Sequence, residues 1–98
     1  MYFAIHCIDK PGSVALRAAT REVHLNHISS LGDRVLVGGP LLGIDGNPIG
    51  SLLIIDFADR KAAIAFAADD PYALAGLFAS VAVTAWRQVF PTAGPSAP

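Results

Sequence analysis

The chain has 98 residues, 53% of them hydrophobic and 15% charged, with a net charge of −1. That is the size of one domain with ample material for a single core. The absence of a basic cluster argues against nucleic acid or an anionic membrane as partner, and so apolar a small domain is expected to cover some of its surface with a partner subunit.

Cys7 is the one cysteine, which rules out an internal disulfide and fits a reducing compartment. Met1 to Asp9 has neither the basic start nor the long apolar run of a secretory leader. The longest apolar stretch, Leu74 to Trp86, is 13 residues long and contains Ser80 and Thr84, too short to span a bilayer. A cytoplasmic protein is expected.

Tyr2 to Asp9 alternates as a strand, with Phe3, Ile5 and Cys7 on one side. Asp9-Lys10-Pro11-Gly12-Ser13 is a turn that offers Ser13 as an N-cap. Val14 to Leu31 carries helical periodicity and ends at Gly32, a favourable residue past a helix end. Arg34 to Leu42 is a second strand interrupted by Gly38-Gly39-Pro40, and Ile44 to Pro48 is hairpin-turn chemistry. Ile49 to Phe57 is a third strand whose run Leu52 to Ile55 predicts burial on both faces. Asp59 caps a short helix from Arg60 to about Ala68. Asp70-Pro71 stops it and opens a short turn that Gly76 closes. Phe78 to about Val89 is a fourth strand, and Pro91 to Pro98 reads as a flexible tail after a single domain over residues 1–90.

The order β-α-β-β-α-β is the ferredoxin-like α+β pattern, a four-stranded antiparallel sheet with both helices on one face. Two helices cover only one face, yet the strands read as apolar on both, so the open face is expected to pack against a second copy in a two-fold homodimer, with higher assembly left open. Trp86 and Phe78 are expected as core or interface anchors.

On a wheel of about 100° per residue, Glu22, Asn26, Ser29 and Ser30 mark the solvent side of the first helix. Opposite them run two apolar stripes, Leu16, Val23 and Leu31 and then Val14, Ala18, Leu25 and Ile28, with Arg17, Arg21 and His24 as an inward ridge between them. Polar side chains on a buried face are costly unless paired. The arginines can run their stems along the core to the rim, and His24 can be a satisfied structural group. The sharper reading is a polar pocket between helix and sheet, with His24 as proton carrier and Arg21 or Arg17 as anion clamp.

Asp70, before Pro71, is a common kind of N-cap. If the fold brings it to His24, the imidazole gains a carboxylate partner and becomes a proton-transfer group. Ser51 is a strand hydroxyl that can line the same pocket. Gly38-Gly39-Pro40 lacks the spacing of a phosphate loop and reads as a bulge or close backbone approach at the pocket floor. His24 and His27 are three apart, but a structural zinc site takes four ligands, and His6 and Cys7 lie on a distant strand. No metal and no cofactor is expected.

These residues form an ordered set: Phe3-Ala4-Ile5, Asp9-Lys10-Pro11-Gly12-Ser13, Arg21 to Leu25, Gly39-Pro40-Leu41, Gly50-Ser51-Leu52 and Asp70-Pro71-Tyr72. The set, from residue 2 to about residue 90, resembles the YciI-like family of small bacterial proteins. The resemblance implies a dimeric ferredoxin-like α+β barrel and a His-Asp active site that falls on His24 and Asp70. It also aligns the family's arginine, Gly-Pro, Gly-Ser and Asp-Lys positions with Arg21, Gly39-Pro40, Gly50-Ser51 and Asp9-Lys10. One branch resembles a dehydrochlorinase of chlorinated hydroxyhydroquinones, and a shared fold does not transfer that substrate.

The enzyme reading is a cofactor-independent lyase on a (halo)aromatic or quinol-type compound. An imidazole with an ordinary pKa of about 6.5 is available as a neutral base near neutrality. Asp70 would fix its tautomer, and Arg21 would hold an enolate, phenolate or halide. Ser51 has no nucleophile-elbow context. The alternative is a small-molecule binding or accessory dimer without turnover. A purely structural dimer leaves the inward polar ridge unexplained. Arg21, Arg17, Ser51, Gly39, Pro40 and Asp9 are the candidate substrate-binding residues, with His24 and Asp70 as the catalytic pair.

Overall fold

A computed structural model describes residues 1–92 of the chain. In chain order the elements are β1 (Tyr2–Asp9), α1 (Val14–Ser29), a 3-10 turn (Gly32–Arg34), β2 (Val35–Leu42), β3 (Pro48–Asp56), α2 (Arg60–Ala68), α3 (Pro71–Leu74) and β4 (Phe78–Trp86). The strands form one antiparallel sheet in the order β2-β3-β1-β4. This is the expected ferredoxin-like α+β architecture. No helix among the described residues is long and apolar enough to cross a membrane.

Alternation decides which side of the sheet the helices cover. Phe3, Ile5 and Cys7 of β1 pair with Ile55, Leu53 and Ser51 of β3, and with Ala85, Val83 and Val81 of β4. With Phe57, and with Ala63 and Ala67 of α2, the apolar members of β1 and β3 make the core. The alanines let α2 lie close to the sheet. The opposite face presents Tyr2, Ala4, His6 and Ile8 beside Ile54 and Leu52, with Val37 at the β2 edge and Trp86 against Tyr2. No other element of the described chain covers it.

Local signals place the ends of elements. Asp59 Oδ1 accepts from the Ala62 amide at 2.8 Å and caps α2, as expected. Asp70 Oδ1 accepts from the Tyr72 amide at 2.9 Å and starts α3, with Pro71 in its first turn. Several expectations are corrected. The Ser13 side chain makes no capping bond, because its backbone is not in the extended conformation that aims a cap. α1 ends at Ser29 rather than Leu31, and Gly32, at φ +57°, instead opens the 3-10 turn. β2 runs through Gly38-Gly39-Pro40 without a break, and its pairing with β3 slips instead between Val35 and Val37 and between Leu41 and Leu42. β4 ends at Trp86, short of Val89. From residue 93 onward the expected tail lies outside the described residues.

The inward ridge of α1 is corrected as well. Arg17 and His24 are buried, but Arg21 is exposed. Val14, Leu16, Val23 and Leu25 are also substantially exposed, while Ile28 and Leu31 pack on the core. The sheet beneath α1 is polar at one end, where Asp9 and Ser51 draw Arg17 inward, so the helix buries a polar line rather than its apolar stripes.

Candidate active site

α1 carries Arg17 and His24 two turns apart over the β1–β3 seam, and α3 brings Asp70 and Tyr72 up beside them. His24 Nδ1 lies 2.9 Å from Asp70 Oδ1 and 3.0 Å from Oδ2. Against a carboxylate, Nδ1 carries the proton and Nε2 is left as the basic nitrogen. Both side chains are buried, and the imidazole stacks on the Tyr72 ring at 4.0 Å with 17° between planes. Asp70 therefore does two jobs, holding the start of α3 and holding His24.

A second pair lies beside the first. Arg17 Nε and Nη2 donate to Asp9 Oδ2 and Oδ1 at 2.7 and 2.9 Å, and Nη2 also donates to Ser51 Oγ at 2.9 Å. The guanidinium lies 4.5 Å from the centre of the Tyr72 ring, so Tyr72 joins the two pairs. Burial opposes the Arg17 charge, but the bonds to Asp9 outweigh it and hold the group protonated. Burial also raises Tyr72 above its usual range, against the lowering effect of Arg17, so the phenol keeps its proton. The Cys7 thiol is pushed up to about 12, first by burial and then by the Asp70 charge. It is an inert core group rather than a nucleophile.

These groups border a cavity of about 220 Å³ between α1, β2 and β3, lined by Arg21, His24, Ser51 and Tyr72 among apolar and glycine neighbours. That is below the roughly 300–1,000 Å³ of drug-sized pockets and fits a compact ligand. Among the described residues no buried side-chain nitrogen or oxygen lacks a hydrogen-bond partner. His24 Nε2 makes no bond to any described residue, so it is open at the cavity.

The structure thus brings together His24, Asp70, Arg21, Ser51, Gly39 and Pro40 around one space. Asp9 and Arg17 do not line it. They satisfy each other and reach the cavity only through Ser51 and Tyr72. A methyl group at Gly39 would meet nothing within 4 Å, whereas one at Gly38 would meet Leu53 Cδ2 at 2.8 Å. The wall next to the core therefore depends on Gly38. Tyr72 is the site residue that pattern reasoning missed. Its only signal is its place in Asp70-Pro71-Tyr72, and the stack on His24 is a tertiary contact. His27 is engaged elsewhere: its ring stacks on Phe66 at 4.0 Å and its Nε2–H donates to the Phe66 carbonyl at 3.1 Å. His6 is exposed on the other face of the sheet.

Fold and site together define a class: a ferredoxin-like α+β domain with a buried His–Asp pair facing a cavity under its first helix. The chain belongs to the YCII-related domain family, whose model matches residues 1–87. It is 39% identical to an uncharacterised protein of Haemophilus influenzae and 35% identical to protein YciI of Escherichia coli, each match covering 92% of this chain and 100% of the relative. Among solved structures it is similar to 5-chloro-2-hydroxyhydroquinone dehydrochlorinase from Burkholderia phenoliruptrix, in complex with 2,5-dihydroxybenzoquinone. That match has a TM-score of 0.84 and 35% identity over 89% of this chain and 94% of the other. An antibiotic biosynthesis monooxygenase, 13% identical with a TM-score of 0.53 over 88% of this chain and 98% of its own, shares the fold alone.

Proposed function

We propose that the chain is a cofactor-independent lyase that eliminates HCl, or a comparable acid, from a compact hydroxylated aromatic or quinol-type compound. The observation that carries this reading is the His24–Asp70 pair, buried on its Asp70 side and open at Nε2 to the cavity. In such an elimination the ligand reacts as its keto tautomer, in which one hydroxyl proton has moved to the chlorine-bearing carbon. Nε2 accepts the proton of a second ring hydroxyl, that O–H electron pair forms a carbonyl, the ring double bond shifts toward the chlorine-bearing carbon, and the halide leaves with the C–Cl electrons. Asp70 stabilises the imidazolium that forms and keeps the ring in the useful tautomer. Arg21, exposed at the cavity, receives the departing anion. Similarity to a dehydrochlorinase supports the reaction class.

The test is chloride release and quinone absorbance from 5-chloro-2-hydroxyhydroquinone. His24→Ala is expected to lower turnover by about 10²–10⁴-fold with the fold intact, and added imidazole should restore part of it. Turnover unchanged in His24→Ala sinks the reading. Binding with no product across a panel of halogenated quinols would instead identify a binding module.

The proposal includes a second copy on the open sheet face, where Leu52 and Val37 are exposed and Trp86 is half-buried against Tyr2. Light scattering of the wild type should give a dimer and Leu52→Lys a monomer. A monomeric wild type would refute it.

A further inference from the structure

Ser51 sits on β3 beneath α1, buried, at the wall of the cavity. Its oxygen accepts from Arg17 Nη2 at 2.9 Å. A guanidinium has donors only, so this bond fixes the direction: Oγ accepts, and its own proton must go elsewhere. Among the described residues the hydroxyl makes no second bond, and none to Asp9, whose oxygens accept from Arg17. A buried donor without an acceptor, at the edge of an open space, calls for an acceptor from outside the chain.

Resting on the reading above, we propose that Ser51 donates its hydroxyl proton to an anionic or carbonyl oxygen of the ligand, a phenolate, enolate or quinone oxygen, and that the Asp9-clamped Arg17 polarises it from behind. A donor whose oxygen is already bonded to a cation is the stronger for it. The charge around the cavity agrees. Its lining includes Arg21 and no Asp or Glu among the described residues, because Asp9 is turned onto Arg17 and Asp70 onto His24. A cationic ligand would find no carboxylate there. The two walls differ in sign: His24 Nε2 on α1 accepts, and Ser51 Oγ–H on β3 donates. The matching ligand carries an acidic hydroxyl on one side of a ring and an electron-rich oxygen on another. Pro40, across the strand pair from Ser51, has no amide hydrogen to compete for that oxygen.

The test is calorimetric titration of the full chain with 2,5-dihydroxybenzoquinone and with 1,4-dimethoxybenzene, which has the same ring size and no ionisable oxygen. Ser51→Ala should weaken the quinone by about 10–100-fold, the range for a hydrogen bond to a charged group, and treat the dimethoxy compound as wild type does. Ser51→Cys, which keeps bulk near Arg17 but is a weak donor, should fall between and guards against a folding defect in Ser51→Ala. Equal quinone affinity in all three proteins overturns the proposal, as does a wild type that does not prefer the quinone. The probe need not react, so the two readings fail separately. Weakened binding in Ser51→Ala without turnover by the wild type leaves this proposal standing and removes the lyase. Unchanged binding in Ser51→Ala with turnover lost in His24→Ala does the reverse.

Discussion

Replacing Asp70 with asparagine removes the charge and puts an amide NH2 where Oδ2 stands, 3.0 Å from His24 Nδ1. The carbonyl oxygen of the new amide can stand where Asp70 Oδ1 stands, 2.9 Å from both His24 Nδ1 and the Tyr72 amide, so the cap of α3 and the grip on the imidazole both survive. What is lost is the anion beside a nitrogen that becomes cationic during proton transfer. A hydrogen bond to a charged group contributes about 1.5–3 kcal/mol and a neutral one about 0.5–1.5, so Asp70→Asn should cost stability only about 1 kcal/mol. In a domain of this size that is roughly 4–8 °C in Tm. Turnover should fall much further, about 10²–10⁴-fold. Asp70→Ala separates the two jobs. It leaves the buried Nδ1–H without an acceptor, about 1–3 kcal/mol, and removes the cap, about 1 kcal/mol more, for roughly 2–4 kcal/mol in all. Chloride release, thermal unfolding and nitrogen NMR of the His24 ring read the three effects independently. An Asp70→Asn protein with full turnover would refute the role given to the carboxylate. So would a wild-type ring protonated at Nε2 with Nδ1 bare.

Other outcomes follow from single contacts. A methyl group at Gly50 would stand 2.2 Å from the backbone carbonyl oxygen of Cys7, so Gly50→Ala should destabilise by at least about 1–3 kcal/mol in denaturant titration; a neutral result would mean β1 and β3 are not this close. Arg17→Met strands the buried Asp9 carboxylate, and loss of about 3–5 kcal/mol is expected by the same measurement. Cys7 gives a pH dependence. Its folded pKa of about 12 lies above the ordinary 9.0, so its contribution is whole below pH 9 and is lost between pH 9 and 12 as the unfolded chain releases the proton, by up to about 1.4 kcal/mol per unit. Denaturant midpoints across that window should fall less steeply in Cys7→Ala; equal slopes would refute the assignment.

The fold was legible because its signals are local. Alternation in Tyr2 to Asp9 and Ile49 to Phe57, the cap at Asp59 and the break at Asp70-Pro71 each mark an element without reference to the rest of the chain. Their order then leaves few topologies. The His24–Asp70 pair was reached from the cost of burying polar groups in an apolar helix, aided by the family resemblance. What remained hidden depends on contacts between elements. The exposure of Arg21 depends on how far α1 rolls, and that is set by Asp9 and Ser51 capturing Arg17 from the sheet. Tyr72 gains its place from α3 packing under α1, and nothing in the residues around it announces a stack on an imidazole. The bulge expected at Gly38-Gly39-Pro40 fell at the ends of β2, because glycine in a strand equally permits a close approach, and at Gly38 it is Leu53 that comes close.

A buried polar network that serves only stability should consume its own hydrogen-bonding capacity, because each idle group is a cost without return. The Asp9–Arg17 pair behaves that way: both carboxylate oxygens are taken, and the guanidinium also reaches Ser51. The capacity left over is uneven. It includes His24 Nε2, an acceptor, and the Ser51 proton, a donor, and both residues border the same cavity, as does Tyr72. Chance burial of a histidine accounts for one idle group and not for two of opposite polarity facing one space. A purely structural role for the ridge on α1 therefore predicts that His24→Phe, which strands the buried Asp70 carboxylate, and Ser51→Ala, which removes an acceptor from Arg17, cost stability and change nothing else. A functional role predicts the same cost in stability together with loss of ligand affinity, and it is the loss of affinity that the unused nitrogen and the unused proton sharing a cavity lead one to expect.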